Sequence, residues 1–302
     1  MPGIERIRAQ VISHPLARGL SPDEVREFLE RLPNNRFPGV VYAARGTTPC
    51  IQPRGGFPQF ESQLKLTRQL SQAGADFIPL TIDSYTRHNQ YDTATQLLRR
   101  SEEEGKDYLN GYPLVSHGHE LTRELYVGID KPISLRHGTP DARLLVEVAL
   151  ASESSRLKEA ASATASLFGR LSLDRSLLYW QYVDRICAMY SRDGFPVHRE
   201  SFGPLSATMV PPAIAVAVEV IESLLAAEQG VKSFAVSFGQ TGSLIQDLAT
   251  ATVLRTLSRH YLDQCGFGDV KIHLVYHQWM GQFPQQREKP LLSLPAPHWC
   301  RA

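Results

Sequence analysis

The chain has 302 residues, and its 32 Lys and Arg residues almost balance its 31 Asp and Glu residues. A near-neutral chain lacks the basic surface that nucleic-acid binding requires. Glu219 and Glu222 interrupt the longest apolar stretch, which is too short to cross a membrane. The N-terminus has no apolar signal region, and the four cysteines lack the spacing of zinc ligands. We therefore expect a cytoplasmic protein that binds no metal, nucleic acid or membrane.

The first 36 residues are predicted to form a helical extension, in which Ser21 caps a helix and Pro22 occupies its first position. From residue 37 onward, short β-prone runs alternate with amphipathic stretches of helical length. Strands are predicted at 39–43, 76–81, 112–116, 132–136, 195–200, 233–238 and 271–276. Helices are predicted at 58–73, 91–106, 142–152, 174–192, 212–229 and 243–262.

This alternation predicts an α/β fold with a parallel sheet. Seven strands are one short of a (β/α)8 TIM barrel, so we assign 37–287 to a barrel that is incomplete at its C-terminal end. A doubly wound sheet is the alternative, but no GxGxxG follows the first strand. The distinctive sequence words follow many different strands, as the site residues of a barrel do.

Three of these words contain an arginine that ends or follows a β-prone run: Arg54 in IQPRGG, Arg87 in IDSYTRHNQYD and Arg136 in SLRHGTPDAR. The planar guanidinium binds a carboxylate with two parallel hydrogen bonds. Three such groups at the ends of three strands therefore indicate a small substrate with two carboxylates, and His137 lies beside the third. The alternative is three surface arginines, the usual location of this residue.

Two further words carry weaker signals. His117 and His119 in VSHGHE have metal-ligand character, but no carboxylate or cysteine clusters nearby, so solvated or hydrogen-bonded loop histidines are the simpler interpretation. Trp279, Met280 and Phe283 in YHQWMGQF follow a predicted strand, where they either stack on a flat ligand or fill the core; without other information we favour the core.

The words of this chain also occur together, and in the same order, in a known family. They are QPRGG, IDSYTRHNQYD, LNGYP, RHGTPDARLL, WQYVDR, HRESFGPL, TMVPP, AAEQGVKS, IQD and YHQWMG. On these motifs the chain resembles the epsilon (large) subunit of glutamate mutase, also called methylaspartate mutase, over about residues 30–287.

The resemblance implies a barrel dimer that pairs with a small cobalamin-binding subunit in a heterotetramer. The family uses adenosylcobalamin to interconvert L-glutamate and threo-3-methyl-L-aspartate through radicals, which the barrel must hold and shield from water. By resemblance, Arg54, Arg87, Arg136 and His137 bind the substrate. The corresponding cofactor-binding positions are Gly56, Asn110, Leu167, Met280 and Phe283.

The chain departs from the family between Glu147 and Ser176. There the family has Glu-Gly-Gly-Gly-Ile-Ser-Tyr followed by Pro-Tyr, whose glutamate and tyrosines contact substrate. Counted without gaps from Arg136, Lys158 takes the place of the glutamate, Thr164 that of the first tyrosine and Phe168 that of the second. A charged lysine accepts no hydrogen bond, so the substrate ammonium is expected to lose its acceptor.

Local frameshifts offer an explanation for this departure. The codons GAA GGA GGC GGC ATC AGC TAC G encode the Glu-Gly-Gly-Gly-Ile-Ser-Tyr motif of the family. When the same nucleotides are translated from the second one onward, they encode Lys-Glu-Ala-Ala-Ser-Ala-Thr, which is the sequence of residues 158–164. One inserted G similarly converts codons for KPLLSLPAPHWCRA into a more helix-like sequence, so we expect 288–302 to be an aberrant tail. We also expect the chain to lack the last strand of the barrel.

Three functions stay open from the sequence. The first is an adenosylcobalamin-dependent glutamate mutase large subunit, an isomerase. The second is a catalytically inactive remnant or structural partner of a cobalamin-binding subunit, for which Lys158 and the missing strand argue. The third is a mutase for another amino diacid, which the Leu167-Phe168 departure leaves possible.

Overall fold

The structure is a computed structural model that describes residues 3–17, 19–153, 156–158, 171–201 and 210–278. Its centre is one sheet in which six strands follow one another in sequence order, and every neighbouring pair is parallel. The α/β prediction is therefore confirmed. The strands are β1 (Ile78–Thr81), β2 (Ile133–Arg136), β3 (Arg156–Lys158), β4 (His198–Glu200), β5 (Ser233–Gly239) and β6 (Lys271–His277).

Helices precede the sheet and connect its strands. Because consecutive parallel neighbours need a crossover, each connection leads the chain back to the same end of the sheet. The helices are α1 (Ile4–Ile12), α2 (Pro22–Glu30), α3 (Pro38–Arg45), α4 (Phe60–Gln72), α5 (Ser84–Arg87), α6 (Tyr91–Glu104), α7 (Leu114–His117), α8 (His119–Glu124), α9 (Arg143–Ala151), α10 (Leu173–Arg192), α11 (Pro212–Glu228) and α12 (Leu244–Gln264). Short 3-10 turns lie at Pro15–Ala17 and Asn34–Arg36. Within the described residues, no helix is long and apolar enough to cross a lipid bilayer.

Five of the seven predicted strands are confirmed with small shifts at their ends. They correspond to β1, β2, β4, β5 and β6. The strand predicted at 39–43 is wrong, because these residues lie in α3. Pro38 fixes the first helical position and Ala43-Ala44 favour the helix, which outweighs the β preference of Val40.

The strand predicted at 112–116 is reduced to one bridge. Tyr112 pairs with Ile82, and α7 begins two residues later. Pro113 ends the pairing because it has no backbone N–H to donate to a ladder. Conversely, β3 was not predicted, since its three residues contain neither a β-branched nor an aromatic side chain.

The N-terminal helices are joined to the rest of the chain by buried polar contacts. Ser21 caps α2 as predicted, because its hydroxyl accepts a hydrogen bond from the Glu24 N–H. Arg8 of α1 donates to Glu147 of α9 at 2.9 Å, and both side chains are buried. The Tyr182 hydroxyl also donates to Glu147, at 2.6 Å. The division into domains at residues 36 and 287 stays a prediction.

The two faces of the sheet differ in chemistry. Buried apolar side chains such as Leu135, Phe234 and Val236 belong to the hydrophobic core, as in sheets covered by helices. Alternate positions carry polar side chains instead, and Ser134 accepts a hydrogen bond from the Gln52 amide at 2.5 Å. Burying polar groups without hydrogen-bond partners lowers the stability of a protein. A buried polar face on the sheet therefore indicates a functional role.

The sheet is strongly curved around Tyr42 of α3. The Tyr42 ring lies 5.5 Å from Phe77, next to β1, and stacks on His273 of β6 at 3.9 Å. Its hydroxyl contacts His198 Nε2 of β4 at 3.2 Å. In a flat sheet, β1 and β6 would be about 24 Å apart, since neighbouring strands lie about 4.8 Å apart. One tyrosine can contact both only because the sheet bends.

The curved sheet is not closed within the described residues. There β6 pairs through one edge only, with β5. At the other end of the sheet, the segment beside β1 runs along its edge: Thr81 N–H donates to Gly55 O at 3.1 Å and Asp76 N–H to Ile51 O at 2.9 Å. The (β/α)8 barrel therefore stays a prediction.

Candidate functional site at the carboxyl ends of the strands

Three strands end in charged or titratable residues that meet on the polar face. Arg136 ends β2, Glu200 ends β4 and His277 ends β6. Arg136 Nη1 donates to Glu200 Oε1 at 3.2 Å, and His277 Nε2 lies 3.9 Å from the same oxygen. Their exposed fractions are 2%, 0% and 7%. In a parallel sheet the carboxyl ends lie along one edge, which is where α/β proteins bind ligands.

The register of the sheet adds Lys158 to this group. Its Cα pairs with that of Arg136 on one side and with that of Glu200 on the other. Residues in register on neighbouring strands belong to one row across the sheet. Arg136, Lys158 and Glu200 therefore form a row, which we call the charged row. The ungapped count along the sequence gave Lys158 a place in the site, and the register places it beside Arg136.

Arg54 lies at the same end of the sheet, beside β1. It is exposed, and the next residue is fixed to the strand because Gly55 N–H donates to the Thr81 hydroxyl at 3.2 Å. Gly56 packs so closely on β1 that an added Cβ would lie 3.0 Å from Thr81 Cβ and nearer still to the Thr81 carbonyl oxygen. Gly111 approaches the same carbonyl oxygen, at 2.7 Å from its own added Cβ. Both positions require glycine because of this close approach.

Arg87 is positioned by the short helix α5, which follows β1. Asp83 caps α5, with its carboxylate accepting from Tyr85 N–H at 2.8 Å and Thr86 N–H at 3.0 Å. Arg87 Nε donates to the Asp83 carbonyl oxygen at 3.4 Å. Asn110, a predicted cofactor contact, accepts a hydrogen bond from Ser84 N–H at 2.8 Å. In this structure Asn110 therefore holds the start of the helix that bears Arg87.

The electrostatics around Asp83 are dominated by burial. Burial raises the pKa of Asp83, while hydrogen bonds from Thr86 and Tyr85 and the charge of Arg87 act in the opposite direction. Burial also lowers the pKa of His117, whose ring stacks on Tyr112 at 4.4 Å. A raised carboxyl pKa and a lowered histidine pKa both indicate a surrounding of low polarity at the end of β1.

The two histidines of VSHGHE serve separate contacts. His117 Nε2 hydrogen-bonds with the Pro58 carbonyl oxygen at 2.8 Å, whereas His119 Nε2 lies 3.8 Å from Glu24. Over the described part of the chain, no three His, Cys, Asp or Glu side chains cluster closely enough to hold a metal ion.

His137 follows Arg136 but has different neighbours. Its Nδ1 contacts the Thr139 hydroxyl at 3.2 Å, and its ring is stacked on Trp180 of α10 with 5.9 Å between centroids. The Trp180 ring also lies under the Arg199 guanidinium, 4.4 Å away. The structure thus brings Arg136 together with Glu200 and places His137 against the helix layer, so shared binding of one carboxylate by Arg136 and His137 stays a prediction.

The remaining predicted site residues lie outside the described residues. They are Thr164, Leu167, Phe168, Met280 and Phe283. The aberrant tail predicted at 288–302 also lies outside them.

Comparison with known proteins decides the family. The model of the methylaspartate mutase E chain (MutE) matches residues 33–293, which include all six strands and the charged row. The chain belongs to this family. The resemblance predicted from the sequence words is confirmed.

Relatives of this family are similar over most of this chain. The glutamate mutase epsilon subunit of Halobacterium salinarum is 42% identical over 87% of this chain and 54% of its own length. Those of Desulfitobacterium hafniense and Treponema denticola are 41% and 38% identical, over 94% and 93% of this chain and 60% and 59% of their own lengths. The chain therefore spans little more than half the length of the relatives it matches.

Sequence reasoning missed Glu200 and His277 within this mutase-family site. The signal was present, because Glu200 stands at the end of a predicted strand in HRESFGPL and His277 directly follows one in YHQWMG. Both words carry the family resemblance, but the role predicted within them fell on Met280 and not on Glu200 or His277. The end of a strand was the common feature of all these residues, and it predicts the site better than residue type alone.

Proposed function

We propose that this chain is the large subunit of an adenosylcobalamin-dependent mutase that interconverts L-glutamate and threo-3-methyl-L-aspartate. The observation that carries the proposal is the buried contact between Arg136 and Glu200 at the strand ends, inside the range that matches the family. Membership in the family supplies the reaction class, an isomerisation. The buried carboxylate and guanidinium supply a place for a charged substrate.

The substrate is a diacid, and the arginines recognise its carboxylates. Arg136 lies in the charged row, Arg87 follows β1 on α5, and Arg54 lies beside β1 at the same end of the sheet. A guanidinium binds a carboxylate bidentately, which fixes orientation as well as position. Orientation matters here because the two fragments of the substrate must recombine with each other.

The cofactor is adenosylcobalamin, shared with a small cobalamin-binding subunit. When bound, it supplies the radical that starts the rearrangement. The chain's own residues suit this chemistry in one respect: Arg136 and Glu200 are almost fully withdrawn from water, which protects a reactive intermediate. The exposed side chains of Arg54 and Asn110 at the same edge offer contacts to a partner that approaches from the strand ends.

The barrel belongs to this proposal as well. Six parallel strands in sequence order, bent around Tyr42, match most of a (β/α)8 barrel. We propose that the relatives complete it with the part of their length that this chain does not match. Two such large subunits would assemble with two small subunits in the cytoplasm.

A second function is favoured by one observation, the lysine in the charged row. Lys158 stands between Arg136 and Glu200 in register, at the place that the resemblance assigns to a substrate-binding glutamate. This change favours an inactive remnant or a structural partner of the cobalamin-binding subunit. A frameshift over 158–164 remains our proposed origin for it, and a mutase for another amino diacid is the third possibility.

One experiment tests the proposed function. A protein with Glu-Gly-Gly-Gly-Ile-Ser-Tyr restored at 158–164, and extended after residue 287 with the corresponding part of a relative, is assayed anaerobically with a small subunit and adenosylcobalamin. We expect 3-methylaspartate to form from L-glutamate. The 302-residue chain itself is expected to form none. No product from the restored protein, under conditions in which the relative's own large subunit is active, contradicts the proposal.

A further inference from the structure

The Arg136–Glu200 ion pair differs from other buried ion pairs of the described chain. It joins the ends of two strands, with Nη1 donating to Oε1 at 3.2 Å, whereas a charge-assisted hydrogen bond is typically about 2.7–2.9 Å long. Two buried pairs that attach helices to their neighbours are shorter: Arg8–Glu147 at 2.9 Å and Arg199–Asp184 at 2.5 Å. The pair at the strand ends is therefore less tightly closed than pairs that hold elements together.

The two side chains meet across the strand that lies between them. β3 separates β2 from β4 in the sheet, so their backbones are about 9–10 Å apart and the contact depends on the side chains alone. A positive and a negative group thus lie side by side at the place where parallel-sheet proteins bind ligands. The exposed fractions of 2% for Arg136 and 0% for Glu200 mean that water and salt screen these charges weakly.

An α-amino acid carries the matching arrangement of charges, because its carboxylate and its ammonium group are attached to the same carbon atom. The Arg136 guanidinium can bind the carboxylate bidentately, and the Glu200 carboxylate can accept hydrogen bonds from the ammonium group. Binding therefore exchanges one long ion pair for two new ones. A dicarboxylate without an amino group gains only the first of these contacts, and it brings its negative charge close to Glu200, which is unfavourable.

We infer that Glu200 is the residue that recognises the ammonium group of an amino diacid, and that it makes the site prefer L-glutamate over plain dicarboxylates such as glutarate. The inference rests on the proposed function, because it takes the strand ends to be a diacid site. It adds the residue that distinguishes the two kinds of diacid. The resemblance assigns the ammonium group to a glutamate whose place Lys158 takes, whereas the structure offers Glu200, a carboxylate that contacts a predicted substrate arginine.

The register of the sheet also gives the bound ligand a direction. Arg136 pairs with Thr81 of β1, and the Thr81 hydroxyl accepts a hydrogen bond from the N–H of Gly55, the residue after Arg54. The segment that carries Arg54 therefore lies on the β1 side of Arg136, while Glu200 lies on the β4 side. A diacid bound through Arg136 directs its second carboxylate towards β1 and its ammonium group towards β4.

The test is direct binding to the full 302-residue chain, measured by titration calorimetry at a fixed pH with L-glutamate and glutarate. L-glutamate is expected to bind about tenfold or more tightly, which is the effect that one hydrogen bond to a charged group typically gives. In Glu200→Gln this preference should vanish through weaker binding of L-glutamate. Glutarate should bind this variant at least as tightly as the unaltered chain, because no carboxylate competes with it for Arg136.

Two further measurements keep the inference testable if Glu200→Gln is not folded, which circular dichroism checks. N-acetyl-L-glutamate keeps both carboxylates of L-glutamate but carries a neutral amide in place of the ammonium group. It should bind the unaltered chain no more tightly than glutarate. Glu200→Asp keeps the charge but withdraws it by one methylene group, so the preference for L-glutamate should shrink without reversing.

A matched control separates the loss of this carboxylate from the loss of any buried charge. Glu147→Gln makes the same substitution at a buried glutamate that also pairs with an arginine, but this residue lies on α9 and not at a strand end. This variant should keep the preference of the unaltered chain, and Glu147→Asp should keep it as well.

The outcomes distinguish the inference from the proposed function. If the unaltered chain binds glutarate or N-acetyl-L-glutamate as tightly as L-glutamate, the inference is wrong while the diacid site stands. The same holds if the folded variants at position 200 keep the full preference, or if those at position 147 lose it equally. If no diacid binds the unaltered chain or any of these variants, both the inference and the diacid site are wrong.

Discussion

At the scale of single residues, breaking the Arg136–Glu200 ion pair is expected to lower the free energy of unfolding substantially. Removing one partner of a buried ion pair leaves the other charge without compensation, which typically costs about 3–5 kcal/mol of unfolding free energy. We expect a loss of this size for Glu200→Ala, measured by urea denaturation. The double variant Arg136→Met/Glu200→Met should recover much of it, because it removes both charges of the pair together. A double variant as unstable as Glu200→Ala would contradict this account.

Glu153 provides a pH-dependent contribution to stability. Burial raises its pKa from 4.5 to about 7, against the opposing charges of Arg36, with which it forms an ion pair, and Arg123. The Tyr126 hydroxyl group also interacts electrostatically with Glu153. Because the folded state holds the proton more tightly than the unfolded chain, this contribution is fully present below about pH 4.5 and is lost as the pH rises through about 7.

Glu153→Gln should therefore flatten the pH dependence of stability in this interval. The unaltered chain is expected to lose on the order of 3 kcal/mol between pH 4.5 and 7 through this group. The variant cannot titrate at this position, so that part of the slope should vanish. Urea unfolding at a series of pH values measures both slopes, and equal slopes would contradict the prediction.

Single residues of the site could be predicted where the sequence marked a strand end. Arg136 ends β2, as the sequence indicated, and it lies among buried charged groups. The neighbours of His137 could not be predicted, because its contact with Trp180 depends on how α10 crosses the sheet. The Arg136–Glu200 contact was also beyond the sequence, since it joins strands that are not adjacent in the sheet.

At the scale of elements, the segment beside β1 is expected to tolerate no side chain at residue 56. Gly56→Ala would place a Cβ against the Thr81 backbone, which cannot move without disturbing β1. Overpacking of this kind typically costs about 1–3 kcal/mol, so the melting temperature should fall. Gly39→Ala is the matched control, because it lies in α3 and its added Cβ meets nothing within 4 Å.

The control should be neutral or stabilising, since alanine is favoured over glycine in a helix by about 0.5–1 kcal/mol. Differential scanning calorimetry of both variants provides the comparison. The explanation by close approach is wrong if Gly56→Ala melts at or above the temperature of Gly39→Ala.

The elements themselves were predictable where hydrophobic pattern and boundary signals agreed. β5 and β6 are seven residues long with clear β-prone runs, and α2 has its cap at Ser21. The prediction failed at α3, where β-branched residues follow a proline that starts a helix. It missed β3 because a three-residue strand between paired neighbours is stabilised by the sheet rather than by its own side chains.

At the scale of the whole molecule, this chain is expected to bind cobalamin only together with a partner. Its sequence contains no D-x-H-x-x-G word, the histidine-bearing motif by which the small subunit is recognised. The 302-residue chain, purified from cells supplied with cobalamin, should therefore show no visible absorbance. Cobalamin that is retained by the chain alone after gel filtration would contradict this prediction, whereas retention after adding a small subunit is expected.

The contacts of Tyr42 have a consequence for how the molecule forms. Tyr42 belongs to an early helix, and its stacking partner His273 belongs to the last strand of the described chain. Contacts between distant parts of a chain form slowly, because a large loop must close before they contribute. During synthesis the ribosome must release β6 before the sheet can bend around this tyrosine. The polar face therefore stays exposed to solvent in the nascent chain. The charged row is enclosed only in one of the last steps of folding.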